Sequence, residues 1–73
     1  MTFEQFKRLI ELMGFSSDKA VNDNGLFKCP TVVGFATCNS MGTVNIRRKG
    51  TTVSKAGFIR FSGIQYLQDR GAI

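Results

Sequence analysis

Phe3, Phe6, Leu9, Ile10 and Met13 recur at the 3–4 spacing that lines one face of an α-helix, and no other pattern in the chain constrains it as strongly. Glu4, Lys7, Arg8 and Glu11 take the opposite face. Thr2-Phe3-Glu4-Gln5 has the form of a capping box, in which Thr2 caps the first turn and Gln5 reaches back to the cap backbone. Gly14 follows where a helix end favours a residue tolerant of positive φ. A helix over residues 2–13 that is apolar on one side has to bury that side. With 73 residues the chain has a single domain, 1–73, in which to do so. So short a chain removes only about 60% of its unfolded surface from water, which makes the core thin. A hydrophobic content of 42% with seven Phe is nevertheless enough for a packed globule.

Beyond the first helix the elements are shorter. Ser16-Ser17-Asp18-Lys19-Ala20-Val21 begins with capping residues and an acid, then stops in Asn22-Asp23-Asn24-Gly25, which reads as a second helix near 16–23 ended by a turn cluster. Residues 30–41 read two ways. Val32, Val33, Phe35 and Thr37 have strand character. Pro30, however, suits a first helical position, and Val32, Phe35, Ala36 and Asn39 share a helical face that Met41-Gly42 closes. Thr43-Val44-Asn45-Ile46-Arg47-Arg48 and Phe58-Ile59-Arg60-Phe61 are strands of a hairpin over 43–61, whose tip has the option of pairing internally through Thr51-Thr52-Val53. Ser62-Gly63-Ile64-Gln65 is a second capping-box pattern, opening a helix near 63–70 that ends at Gly71. The predicted core is Phe3, Phe6, Leu9, Ile10, Met13, Val21, Leu26, Val33, Phe35, Ile46, Ile59, Phe61 and Leu67.

The charge is distributed unevenly. Lys7, Arg8, Lys19, Lys28 and Arg70 are offset by Glu4, Glu11, Asp18, Asp23 and Asp69, so the net charge of +5 resides in Arg47, Arg48, Lys49, Lys55 and Arg60. No acid occurs between Asp23 and Asp69. A basic, acid-free hairpin points to an anionic partner, nucleic acid first and acidic protein or lipid headgroups after it. The plainer explanation is a solvated hairpin whose charges prevent edge-to-edge pairing.

The order helix, short helix, turn, third helix, basic hairpin and last helix resembles the winged helix-turn-helix family from Phe3 to Gly71. The hairpin-to-helix junction Phe58-Ile59-Arg60-Phe61-Ser62-Gly63-x-x-x-Leu67 carries the likeness. More faintly, the layout looks like very small podovirus proteins that bind the host RNA polymerase machinery and shut it down. The resemblance implies a small α+β domain with three N-terminal helices, the third a recognition helix over 30–41, followed by a wing and a C-terminal helix. The alternative is a three- or four-stranded antiparallel meander over 26–61 flanked by two helices. As a wing, Arg47, Arg48, Lys49, Lys55 and Arg60 would lie along a phosphate backbone, with Thr51 and Thr52 adding hydroxyl donors. The recognition helix has no Arg or Lys and offers only Thr31, Thr37, Asn39 and Ser40 for base edges, so affinity for double-stranded DNA would come mainly from phosphates. An acidic host protein of the transcription machinery is the alternative partner, bound by a small phage-type inhibitor.

Other classes are disfavoured. The chain has no His, its acids are scattered, and RKGTT lacks the upstream glycine of a phosphate loop, so a non-catalytic protein without cofactor, metal or small-molecule substrate is expected. Cys29 and Cys38 lack C-x-x-C spacing and read as small buried apolar groups. No apolar run reaches the roughly 18 residues of a membrane span, and the first residues lack a signal-peptide pattern, which predicts a cytoplasmic protein (host cytoplasm if viral).

Overall fold

The computed structural model of the chain describes residues 1–48 and 58–73. Helix α1 covers Phe3–Leu12 and begins as its sequence predicts. The Gln5 amide N–H donates to Thr2 Oγ1 at 3.1 Å, and the Thr2 N–H donates to Gln5 Oε1 at 2.8 Å. Phe6, Leu9 and Ile10 are buried along its apolar face. The rings of Phe3 and Phe6 lie 5.3 and 5.6 Å from that of Phe27, an aromatic cluster that fastens the helix to the strands beneath it.

Those strands are β1 (Val21–Asp23), β2 (Leu26–Pro30), β3 (Gly34–Cys38), β4 (Thr43–Arg48) and β5 (Phe58–Ser62). They form one antiparallel sheet in the order β1-β2-β3-β4-β5, each strand pairing with its neighbour in sequence. Helix α2 (Gly63–Asp69) follows, with the Ser62 side chain accepting from the Gln65 N–H at 3.2 Å. Leu67 of α2 joins Phe6, Leu9 and Ile10 of α1 in one buried cluster with Phe27, Cys29, Ala36, Cys38, Val44 and Ile46 of the sheet. Both helices therefore pack on the same sheet face.

This corrects the expected winged-helix layout of three N-terminal helices. Neither a helix near 16–23 nor one over 30–41 forms: the first region ends in β1, and the second contains β3 between two turns. Two side chains that the sequence offered for base edges, Thr31 and Asn39, close hairpins instead. Thr31 Oγ1 accepts from the N–H groups of Val33 (3.3 Å) and Gly34 (2.9 Å), while the Thr31 and Gly34 backbones bond each other across a two-residue turn. Asn39 Oδ1 accepts from the N–H groups of Met41 and Thr43, both at 3.0 Å, and Gly42 takes a φ of +84°. Asn24 (φ 52°) and Gly25 (φ 90°) form a two-residue turn between β1 and β2, the conformation that Asn-Gly favours in hairpins. The meander alternative is nearer, but the sheet has five strands and starts at Val21 rather than at residue 26. The expected hairpin strands do pair, Val44 facing Phe61 and Asn45 facing Arg60; its Thr51-Thr52-Val53 tip lies outside the described residues.

The core needs a second correction. Phe6, Leu9, Ile10, Ile46 and Leu67 are buried, and Phe3, Met13 and Phe61 pack against them. Val21, Leu26, Val33, Phe35 and Ile59 are exposed. Strand β2 alternates with Phe27 and Cys29 inward and Leu26, Lys28 and Pro30 outward, and β3 turns Ala36 and Cys38 inward and Phe35 outward. Shifting a strand's parity by one residue exchanges its faces, so the small residues lie beneath the helices and the large ring is outside. Ile59 pairs with the buried Ile46 but stands on an edge strand.

Candidate nucleic-acid interface

Residues opposite one another in an antiparallel ladder share a sheet face, so the register defines what stands on the side turned away from α1 and α2. One row across that side is Pro30, Phe35 and Arg47; the next is Lys28, Thr37, Asn45 and Arg60. Lys28, Phe35 and Arg60 are exposed, and Thr37, Asn45 and Arg47 half-buried. Among the described residues, no helix covers these rows.

Three contacts organise the face. The Arg47 guanidinium lies 4.6 Å from the centre of the Phe35 ring, a cation–π pairing across β3 and β4. Arg60 donates from Nε to Asn45 Oδ1 at 3.0 Å, which orients the guanidinium without adding a negative charge. Lys28 Nζ pairs with Asp23 Oδ2 at 3.2 Å near the β1 edge. Among the described residues of these strands the face thus carries three basic side chains and one acid, and the acid sits on β1, at the side farthest from β5.

The residues named from sequence separate into groups. Arg47, Arg60 and Thr37 come together on the uncovered face. Arg48, exposed at the end of β4, has the parity of Val44 and Ile46 and so points to the other side. Thr31 and Asn39 close turns at opposite ends of β3, and Ser40 is exposed in the Asn39 turn, so these three do not form a reading surface with Thr37. Lys49, Thr51, Thr52 and Lys55 lie outside the described residues. Lys28, Phe35 and Asn45 join the face although the sequence assigned Lys28 to an offset pair and Phe35 to the core. For Lys28 the Asn24-Gly25 turn is the signal that finds it, since a two-residue hairpin sets the register of β1 against β2.

Cys29 and Cys38 are free thiols buried under the helices, and burial raises both pKa values above the ordinary 9.0. For Cys38 the N-terminal charge opposes that shift in part. Neither is poised as a nucleophile at neutral pH. Among the described residues no group of three or more Cys, Asp or Glu is placed to hold a metal ion, and no helix is long and apolar enough to cross a membrane. Comparison of the chain with protein-family models, with curated proteins and with solved structures returns no match.

Proposed function

We propose that the protein is a non-catalytic nucleic-acid-binding module that contacts phosphates through the uncovered sheet face. The observation that carries this reading is the placement of Arg47, Arg60 and Lys28 on one exposed five-stranded surface. Arg47 and Arg60 belong to the acid-free segment that holds the net charge. Cations set along a surface attract a polyanion and release its counterions on binding. The sheet face thereby takes the role that the sequence assigned to a wing.

Salt dependence tests the reading. Affinity for a labelled nucleic acid should fall linearly with the logarithm of salt concentration. Replacing Arg47 and Arg60 together by Ala should flatten the slope by about 1.4–1.8, at about 0.7 per phosphate for single strands and 0.9 for duplex. Replacing Lys7 and Arg8 on α1 removes the same formal charge from the opposite side of the molecule, where Lys7 already pairs with Glu4 at 3.3 Å. That variant should keep the wild-type slope. Equal flattening by both pairs, or no binding by the wild type at low salt, defeats the assignment.

A second reading draws on the β2–β3 turn, where Val32 is 92% exposed beside Pro30, Val33 and Phe35. An apolar tip beside a basic face also fits an acidic protein partner, including one in a host transcription apparatus. Capture of a stoichiometric protein that survives nuclease treatment would favour it.

A further inference from the structure

Resting on the nucleic-acid reading above, we infer that the ligand is a single strand whose bases stack on Phe35, with Arg47 and Arg60 engaging the phosphates beside it. Size gives the first reason. Five strands about 4.8 Å apart make a face about 19 Å across, whereas the major groove of duplex DNA is about 12 Å wide and the minor groove about 6 Å. The face therefore cannot enter a groove. Against a duplex it would touch only a backbone line and leave its aromatic ring without a partner, because paired bases are hidden in the stack.

The second reason is the ring itself. Phe35 stands on the central strand and is 39% exposed, while Ala36 and Cys38 on the same strand fill the core. A large apolar side chain on the wet face of a sheet does nothing for that core. Arg47 is held over the ring at 4.6 Å, and a guanidinium plane stacks with bases as readily as with an aromatic ring. One row further, Thr37, Asn45 and Arg60 supply a hydroxyl, an amide and a cation on three adjacent strands. Stacking surface next to hydrogen-bonding groups and cations is the combination that unpaired bases on a phosphodiester backbone require. Every base has a π-face, so the site should be tolerant of sequence.

The chain has no Trp, so Phe35→Trp places a single indole in the site as a reporter. Titration with oligo(dT), oligo(U) and a mixed-sequence duplex of equal length should quench that indole with the single strands, and the duplex should bind more weakly. Phe35→Ala should lose about 10- to 100-fold in single-strand affinity while changing duplex affinity little. Phe35→Trp should retain or improve binding, and the little-changed duplex affinity of Phe35→Ala excludes misfolding as the cause of its single-strand loss. The two single strands separate the sources: equal affinity marks a site for either sugar, and a preference for oligo(U) marks RNA. Duplex binding as tight as single-strand binding, or an unchanged single-strand affinity in Phe35→Ala, overturns the stacking inference but leaves phosphate binding standing. Loss of all binding at low salt removes both.

Discussion

Gly63 shows how one residue's lack of a side chain shapes the junction between sheet and helix. It is the first residue of α2, is buried, and donates its N–H to the Gly42 carbonyl at 2.9 Å. A Cβ at this position would stand 2.8 Å from Val44 Cγ2 and 3.3 Å from the Gly42 oxygen, with Met1 Cε closer still. The Met1 side chain is able to swing aside, but Val44 is fully buried and the Gly42 carbonyl is backbone. Gly63→Ala should therefore destabilise the protein by about 1–3 kcal/mol despite the better helix propensity of Ala. Urea melting of the two proteins measures this. An unchanged midpoint would mean that α2 shifts freely on the sheet. The same contact gives the strand-Ser-Gly junction of the sequence a structural role in a fold that is not a winged helix.

At the scale of an element, β2 separates a pattern-based expectation from the real one. Leu26 and Phe27 are adjacent, and the sequence turns both towards the core, with Leu26 among the predicted core residues. In the sheet Phe27 is 7% exposed against Phe3 and Phe6, and Leu26 is 38% exposed on the far face. Phe27→Ala should cost about 3–5 kcal/mol, a large share of the total for a domain of this size. Leu26→Ala should change stability by about 0.5 kcal/mol. Thermal melts of both variants check the parity directly, and the reverse order would place β2 in the opposite register. The α1 helix was legible because its stripe spans several turns and is confirmed by its own cap. A five-residue strand shows at most three positions per face, and Leu26-Phe27-Lys28-Cys29-Pro30 fits either parity until Asn24-Gly25 is recognised as a two-residue turn.

For the molecule as a whole, the two buried thiols predict how stability changes at alkaline pH. Burial raises both thiol pKa values in the folded state, so the unfolded chain ionises first as pH climbs past about 9.0. The stability they contribute is complete below that pH and is lost as pH rises towards the folded-state values. Urea midpoints should therefore fall between pH 8 and 10. A Cys29→Ala/Cys38→Ala variant should be less stable throughout but flatter across that range; an equally steep fall in the variant would assign the alkaline loss to other groups. By itself the sequence determined the first helix, the basic hairpin strands, the last helix and the concentration of charge between residues 43 and 61, because these depend on local periodicity, caps and composition. Only tertiary structure decided that residues 34–38 are a strand. Thr31 and Asn39 are as suited to closing hairpin turns as to capping a helix, and pairing with β2 on one side and β4 on the other satisfies the backbone of that segment. Tertiary structure also placed Phe35 beside Arg47, with Arg60 one row further on the same uncovered side, because a face is a property of register across strands, and register joins residues far apart in the chain.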